Sequence, residues 1–298
     1  MQGLLLLNKP CGKSSFGAVA AIKRLAGEKR VGHTGTLDPM ATGVLPVLLG
    51  RATALSGLML DSDKRYRAEI QLGVVTDTED ITGSIIDKRP VSVSEADIEA
   101  AMRHFTGRIK QRPPMYSAIK KDGVRLYSLA REGKTVDIPE REITVFSAEA
   151  VSQIDSQNRF LADFYVSKGA YIRSLARDIG EYLGCGASLS ALERTYAAGF
   201  SLEQCVELET LNSENIGYHI LKEEDAVKHL REIDVTEKQA VRFCNGGRLG
   251  FERLRLSEPE DGELFRVKLG DLFLGVGYAD FAAESLGIRC IINYPKEC

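Results

Sequence analysis

The stretch VGHTGTLDPMATGVLPVLLG, residues 31–50, carries one charged side chain, Asp38, although 27% of the chain is charged. Lys29 and Arg30 precede this stretch, and Arg51 follows it. It contains four glycines, which allow a ligand to approach the backbone closely. Leu-Asp-Pro is also an ordinary turn, because Asp can bond its own backbone. The stretch therefore predicts either a structural turn or a site with one reactive carboxylate.

The length and composition limit the class of protein. A chain of 298 residues indicates two domains. The longest apolar run near the N-terminus is four leucines at residues 4–7, which is too short for a membrane span or a signal peptide. We therefore expect a cytosolic, cytoplasmic protein that does not bind a membrane. Six cysteines without a C-x-x-C pair argue against a disulfide framework and against a metal site.

The charge is distributed unevenly along the chain. Residues 1–135 carry 21 Lys and Arg against 14 Asp and Glu, whereas residues 201–298 carry 12 against 19. This asymmetry indicates two modules, of which the first would meet a polyanion. Two ordinary solvated surfaces would give the same numbers, so charge alone leaves both interpretations open.

Local patterns predict a mixture of helices and strands. Residues 3–8 read as a buried strand, and residues 64–73 alternate as a half-buried strand does. Two further strands are expected within 143–151 and 158–167. Helices are expected at 15–26, with Phe16, Val19, Ile22 and Leu25 on one face, at 94–107, and at 170–184. Residues 232–298 predict a small β domain with a hairpin at Gly270-Asp271.

Residues 112–142 have a different texture from their surroundings. They contain a proline pair and several basic residues, with little strand pattern and one helical turn or two at Tyr127–Arg131. Long loops in compact domains are usually functional, so we expect a functional excursion here.

Two enzyme classes fail on their motifs. A P-loop ending at Gly12-Lys13-Ser14 would need glycine at position 7, which is Leu7. A zinc deaminase needs H-x-E and C-x-x-C, but Thr34 and Gly35 follow His33 and the second motif is absent.

The remaining chemistry centres on Asp38. A carboxylate beside few other acids could act as nucleophile or base if a cation kept it ionised. Arg173, near a predicted strand-to-helix junction, is a candidate cation or a surface arginine. Tyr66, between Arg65 and Arg67, is a candidate platform for stacking a base or a core residue of its strand.

Five segments in this order resemble the TruB family of bacterial tRNA pseudouridine-55 synthases. They are LLLLNKPCGKSS, GHTGTLDPMATG, DSDKRYRAEIQLG, PPMYSAIKKDGVRLYSLAREG and SKGAYIRSLARDIGEYLGCGA. The resemblance covers nearly all of residues 1–200, and the aspartate motif is highly specific. The C-terminal part is similar to a PUA domain, through FCNGGRL and the hairpin.

The resemblance implies roles for individual residues. Asp38, Tyr66 and Arg173 match the catalytic residues of the family. His33, Tyr171 and Leu192 match positions that contact the RNA or the bound uracil. Further RNA contacts are expected from basic residues of the cleft: Lys64, Arg65, Arg67, Lys120, Lys121 and Arg125. Lys9 and Pro10 match a structural motif, and residues 113–142 match the loop that closes over RNA.

The implied reaction turns a uridine of the tRNA T-loop, position 55, into pseudouridine. The C1′–N1 bond breaks, the uracil rotates, and C1′ joins C5, so no cofactor is implied. The base must first be flipped out of the RNA. The sequence leaves attack of Asp38 at C6, attack at C1′ and elimination to a glycal open.

The implied architecture is α+β, the pseudouridine synthase fold with a mixed, largely antiparallel sheet in residues 1–231, and a small β-barrel-like PUA domain in 232–298. We expect a monomer that binds the T-arm stem-loop of tRNA without an obligate protein partner. A guide-RNA-dependent relative would carry terminal extensions, whereas this chain begins at the catalytic module. A tRNA-binding or tRNA-folding factor with secondary catalysis is the alternative from another class.

Overall fold

Two sheets organise the chain. The computed structural model describes residues 1–117, 120–121, 124–125, 136, 138–254, 256 and 258–295. Up to residue 227 its elements are β1 (Gly3–Lys9), α1 (Ser15–Ala26), β2 (Val31–His33), β3 (Thr42–Leu49), α2 (Ser56–Leu60), β4 (Lys64–Leu72), β5 (Val74–Thr76), β6 (Ile85–Lys88), α3 (Glu95–His104), β7 (Gly107–Gln111), β8 (Lys120–Lys121), β9 (Val124–Arg125), β10 (Arg141–Ala150), β11 (Arg159–Val166), α4 (Ile172–Tyr182), β12 (Ala187–Ala197), β13 (Phe200–Ser201), β14 (Val206–Glu207) and β15 (Ile220–Leu221). They are followed by β16 (Arg231–Asp234), α5 (Glu237–Cys244), β17 (Leu249–Gly250), α6 (Phe251–Leu254), β18 (Leu264–Leu269), β19 (Leu272–Asp280) and β20 (Ser285–Ile291).

The first sheet is mixed and largely antiparallel. Its strands follow the order β14-β1-β3-β12-β4-β11-β10-β7, and β2, β13 and β15 add at its margins. Among the pairings described, β1–β14 and β3–β12 are parallel and the others in this sheet are antiparallel. The second sheet has the order β16-β18-β19-β20-β17. This arrangement confirms the predicted α+β class.

The two faces of the first sheet carry different cores, which explains the sequence of β1. Leu5 and Leu7 belong to the core beneath α1, α3 and α4, whereas Leu4 and Leu6 belong to a second core shared with the C-terminal sheet. A strand buried on both faces reads as a continuous apolar run. The predicted buried strand at 3–8 is therefore confirmed.

Several other predicted elements are also present. Ser14 caps α1 by accepting a hydrogen bond from Gly17 N, and Ser94 forms a capping box with Asp97 at the start of α3. In β4 the alternate residues Tyr66, Ala68, Ile70 and Leu72 face the larger core. The expected hairpin at Gly270-Asp271 joins β18 to β19.

The spacing that predicted α1 does not mark its buried face throughout. Phe16, which has helical spacing with Val19, Ile22 and Leu25, is 80% exposed. The buried face consists instead of Ala18, Val19, Ile22 and Ala26. Phe16 lies in the first turn of α1. The helical turn expected at Tyr127–Arg131 lies outside the described residues.

Candidate active site

Asp38 lies on the loop between β2 and β3, and its neighbours fix that loop to the start of α1. The buried Ser15 hydroxyl donates to Leu37 O at 2.9 Å and accepts from Leu37 N at 2.8 Å. Gly12 N donates to Pro39 O at 2.8 Å, and Ala41 N closes a turn on Asp38 O at 3.1 Å. The turn predicted from Leu-Asp-Pro is thus present, and it presents the Asp38 side chain from a fixed backbone.

Lys9 also holds the Asp38 loop in place through hydrogen bonds. It is fully buried, and its Nζ donates to Lys13 O at 2.6 Å, to Pro10 O at 2.7 Å and to Pro39 O at 3.3 Å. Burial lowers the pKa of Lys9 to about 8, although the charges of Cys11 and Asp38 act to raise it. The expected structural role of the Lys-Pro motif agrees with this arrangement.

Arg173 joins Asp38 to two other segments. It occupies the first turn of α4, where only 5% of its side chain is exposed, and its Nε lies 2.9 Å from Oδ2 of Asp38. Nη1 donates to Thr78 O at 2.9 Å and lies 3.6 Å from Oδ2 of Asp80. Nη2 donates to Tyr116 O at 2.7 Å. The predicted pair of Asp38 and Arg173 therefore exists, with the guanidinium fully engaged.

Asp80 is a site residue that sequence reasoning missed. The sequence suggested that Asp38 is isolated from other carboxylates, but folding brings Asp80 to the same arginine. Asp80 is buried, and its Oδ1 accepts from Thr82 N and from the Thr78 hydroxyl, both at 2.9 Å. The run TDTEDIT offered a signal, since threonines two residues either side of an aspartate are ready donors.

The pKa of Asp38 reflects these opposing neighbours. Burial is the largest effect and raises the pKa above its ordinary value, and Asp80 raises it further. The charge of Arg173, its hydrogen bond and the charge of Lys9 act in the opposite direction. The side chain is nevertheless 37% exposed, so a substrate can reach the carboxylate. The site therefore holds an accessible carboxylate whose ionised form is favoured by Arg173.

Tyr66 and Leu192 line the same core. Tyr66 on β4 lies opposite Phe164 on one side and Arg194 on the other, and Leu192 on β12 lies opposite Ala68. Both Tyr66 and Leu192 are buried, in the core cluster that also contains Leu37 from the Asp38 loop. The Tyr66 hydroxyl has no hydrogen bond to any residue that the structure describes.

Tyr171 precedes Arg173 as the N-cap residue of α4. Its backbone is held at two points, because Tyr171 N donates to Oε1 of Gln111 at 2.8 Å and Nε2 of Gln111 donates to Tyr171 O at 3.0 Å. Gln111 is almost completely buried. Burial raises the pKa of the Tyr171 phenol. Sequence reasoning missed Gln111, since a lone glutamine at the end of a strand carries no motif.

Arg65 and Arg67 do not share a surface with Tyr66. Successive residues of a strand point to opposite faces, so both arginines lie on the outer face of the sheet. Arg67 makes a bidentate pair with Asp163 at 2.7 and 2.8 Å. Arg65 lies over the Tyr165 ring at 4.8 Å. Their binding of RNA stays a prediction, but the picture of Tyr66 flanked by two cations in one cleft was wrong.

The other predicted RNA contacts fall into two groups. His33 ends β2 and Lys64 begins β4, both half-buried beside the Asp38 loop. Lys120, Lys121 and Arg125 belong to the short ladder of β8 and β9, but their side chains lie outside the described residues. The predicted closing loop at 113–142 falls partly outside them as well. Within the described ranges, no group of three potential metal ligands and no membrane-spanning helix is present.

Family models match most of the catalytic part. The N-terminal domain of TruB family pseudouridylate synthases matches residues 23–172, and the C-terminal domain of tRNA pseudouridylate synthase B matches residues 173–234. The chain is 42% identical over 294 residues to "tRNA pseudouridine synthase B" of Clostridium perfringens (strain 13 / Type A), covering 97% of this chain and 100% of the relative. It is 41% identical over 281 residues to the protein of the same name from Azoarcus sp. (strain BH72), covering 93% and 91%.

Solved structures with the same fold come from a protein complex and from an RNA–protein complex. One is the crystal structure of a Cbf5-Nop10-Gar1 complex, with a TM-score of 0.74 and 28% identity over 99% of this chain and 84% of the other. Another is an H/ACA RNP bound to a substrate RNA containing 2′-deoxyuridine, with a TM-score of 0.75 and 25% identity over 99% and 87%. The likeness extends over both sheets of this chain.

Proposed function

The chain belongs to the TruB family of pseudouridylate synthases, and from this premise we propose that it converts uridine 55 in the T-loop of tRNA to pseudouridine. The family makes it an isomerase that turns uridine into pseudouridine. The relatives named tRNA pseudouridine synthase B support tRNA as the substrate. The observation that carries the proposal is the buried Arg173 held 2.9 Å from the accessible carboxylate of Asp38.

The reaction exchanges one glycosidic bond for another within the same nucleotide. The C1′–N1 bond breaks, the uracil turns, C1′ bonds to C5, the C5 proton leaves, and N1, released from C1′, gains a proton. Substrate and product have the same composition, so Asp38 can serve without a cofactor, either as nucleophile or as the group that stabilises and deprotonates an intermediate. Attack at C6, attack at C1′ and elimination to a glycal remain alternatives for its first step.

Arg173 and Tyr66 have distinct parts in this proposal. Arg173 orients Asp38 and favours its ionised form through a charge-assisted hydrogen bond. Tyr66 stacks on the uracil, with its free hydroxyl available for a proton of the substrate. Tyr171 and Leu192 complete the walls around the base, and His33 contacts the T-loop.

Reaching the uridine requires that it leave the RNA stack. Flipping costs roughly a few kcal/mol, which contacts to the base and backbone must offset. We propose that residues 1–231 form the catalytic domain, that residues 113–142 close over the RNA, and that residues 232–298 are a PUA-like domain. We propose a cytoplasmic monomer without an obligate protein partner.

Release of tritium tests the proposal directly. Unmodified tRNA labelled with tritium at uridine C5 is incubated with the wild type and with Asp38→Ala, after equal RNA binding has been verified. We expect release by the wild type and none by the variant. Equal binding without release from either protein would instead leave a tRNA-folding factor or a guide-dependent enzyme.

A further inference from the structure

Two cationic side chains meet above Gly35, three residues before Asp38. Gly35 has a φ of +77°, and a Cβ atom built on it would lie 3.3 Å from Nη1 of Arg194 and 3.7 Å from Cε of Lys64. The three atoms nearest to that position all belong to these two side chains. Because Gly35 has no side chain, Arg194 and Lys64 can both lie against its backbone, and we call the place where they meet the cradle.

The charge of Arg194 is not neutralised within the protein. Arg194 is 1% exposed, and Nε donates to Val44 O at 2.8 Å while Nη2 donates to Gly35 O at 2.9 Å. In the part of the chain that the structure describes, Arg194 makes no ion pair, and its Nη1 has no hydrogen bond. Buried charges are normally paired, so a guanidinium supported only by carbonyls favours an anion from outside.

Lys64 is held in a similar way. Its Nζ donates to Ser62 O at 2.5 Å and to Leu60 O at 3.3 Å. Two aspartates lie near and favour its charged form, but Asp61 pairs with Lys168 at 3.0 Å and Asp63 accepts from Tyr165 at 3.3 Å. No carboxylate among the described residues pairs with Lys64 directly.

The surroundings of the cradle are crowded with positive charge. Burial, followed by the charge of Arg194, lowers the pKa of Lys64 to about 8 and also lowers the pKa of His33. Two buried polar atoms beside Gly35, Nδ1 of His33 and the hydroxyl of Thr34, have no hydrogen-bond partner within the described ranges. An anion in the cradle would relieve the repulsion between these positive charges.

We propose that Arg194 and Lys64 form a phosphate-binding subsite above Gly35, which takes a backbone phosphate of the RNA next to the target uridine. The inference rests on the proposed function and deepens it. Gly35 and Asp38 are three residues apart, so their Cα atoms lie within about 11 Å. A nucleotide whose C1′ faces Asp38 carries a phosphate on each side of its ribose, so one of them can reach the cradle.

The subsite would hold the strand while the base is flipped. Arg194 supplies a rigid donor, because its other nitrogens are fixed on Val44 and Gly35. Lys64 supplies a point charge two residues before Tyr66. A phosphate fixed between them would set the distance from the ribose to Asp38, which is a requirement for productive geometry.

A double-mutant cycle between protein and RNA tests this subsite. The RNA probe is a T-arm stem-loop in which one phosphate flanking the target uridine is replaced by a neutral methylphosphonate. Its Kd is measured with the wild type, with Lys64→Gln, and with Lys23→Gln as a control that removes a lysine at the exposed far end of α1. Circular dichroism verifies that each variant is folded. Lys64 carries the test, because Arg194 is buried and its substitution can prevent folding.

We expect the methylphosphonate at one flanking position to weaken binding to the wild type and to Lys23→Gln by about ten-fold, the size of one charge-assisted hydrogen bond. Lys64→Gln should bind the unmodified RNA more weakly than the wild type does. The methylphosphonate should weaken its binding little further. Its slope of log K against log [KCl] should be lower by about 0.7 to 0.9, as for one lost phosphate contact.

Equal losses in all three proteins, at both flanking positions, would overturn the subsite. A second result would also overturn it. In that result, free inorganic phosphate raises the Tm of the wild type but not of Lys64→Gln, while the methylphosphonate has no effect on RNA binding. Tritium release by the wild type is measured in parallel. Its absence would overturn the proposed function, whereas release without coupling would overturn the subsite alone.

Discussion

Asp38 has two charged neighbours, Asp80 and Arg173, and their effects on its pKa should appear in the pH dependence of catalysis. Removing a like charge lowers the pKa of a carboxyl group, and removing an opposite charge raises it. We therefore expect Asp80→Asn to move the acid limb of the single-turnover pH–rate profile to lower pH, by less than about one unit. Arg173→Gln should move it to higher pH by about 1 to 3 units, with a large loss of rate.

The measurement is single-turnover tritium release between pH 4.5 and 8.5 at saturating enzyme. Tm values of both variants control for loosening of the segment around Thr78. If the acid limb moved in the same direction in both variants, this result would contradict the assignment of opposite influences to Asp80 and Arg173.

Lys9 contributes to stability in a way that pH reveals. Its pKa in the folded protein is about 8, below the ordinary value of 10.5, because burial disfavours the charged form. Between these two pH values the unfolded chain binds more protons at this position, so the stability contributed by Lys9 rises with pH. We expect Lys9→Met to cost about 2 kcal/mol near neutral pH, since it leaves buried carbonyls unpaired.

The difference in the free energy of unfolding between the wild type and Lys9→Met should increase from pH 7.5 to pH 9.5. Urea unfolding at both pH values measures it. The cysteines titrate in the same range, but they are common to both proteins and cancel in the difference. A gap that narrows with pH would show that the charged amine is the form that folding favours.

The sequence singled out the candidate pair of Asp38 and Arg173 more clearly than the residues around it. Asp38 stood out because its neighbours lack charge, and Arg173 because it follows a strand at the start of a helix. Asp80 had only the threonines around it as a signal and Arg194 had none, since each acts on a loop that is distant along the chain. The alternation of β4 was read correctly for Tyr66, but its consequence for Arg65 and Arg67, which face the other way, was not drawn.

The N-terminus of α4 is positioned by a side chain of the neighbouring strand. Gln111 clamps both backbone groups of Tyr171, and Arg173 follows two residues later. Gln111→Leu leaves both groups unpaired, at about 1 to 3 kcal/mol each, and allows the helix start to move. We expect kcat to fall by about ten-fold or more, while KM for tRNA changes little.

Gln71→Leu is the matched control for this substitution. Gln71 also bonds two backbone carbonyls, those of Leu72 and Gln157, but neither bond involves α4. Its kcat should remain near that of the wild type. Equal losses of kcat in both variants would mean that Gln111 acts only through general stability.

The parallel contact of β3 with β12 depends on one glycine. Gly43 has a φ of +104°, and a Cβ atom there would lie 2.2 Å from Arg194 O. Gly43→Ala therefore adds both backbone strain and a clash with a central strand, and we expect a loss of more than about 3 kcal/mol. Gly57→Ala in α2, where the added atom meets nothing within 4 Å, should be neutral or stabilising by up to about 1 kcal/mol. Urea unfolding of both variants measures the difference.

Helices and strands with a clear period were predicted almost to their ends, whereas the sheet order was not. The caps Ser14 and Ser94 mark α1 and α3, and alternation marks β4, because these signals are local. The neighbours β3 and β12 are joined by packing between distant segments, which no local pattern encodes. The buried Arg194 arrives through that long-range pairing, and the extra carboxylate of Asp80 arrives through a bridge with Leu189 of β12.

The two sheets share a core, and this decides how the protein unfolds. Leu4 and Leu48 from the catalytic sheet pack with Phe273, Val276 and Ile292 from the C-terminal part. A domain boundary normally has few contacts across it. Here the apolar cluster lies between the sheets, so neither part can lose its structure without exposing the other.

Phe273→Ala tests this shared core. Phe273 is buried, and its truncation should destabilise the protein by about 3 to 5 kcal/mol through lost burial and a cavity. Because the cluster belongs to both sheets, we expect calorimetry to show one transition in the wild type and one transition at lower temperature in the variant. Phe281→Ala is the control, since Phe281 is half exposed at the turn after β19 and should change the Tm little. Two separate transitions, of which only the C-terminal one responds to Phe273→Ala, would mean that the sheets unfold independently. In that case the cluster would be a simple contact between domains, and the catalytic sheet would keep the geometry of Asp38 and Arg173 without support from the C-terminal part.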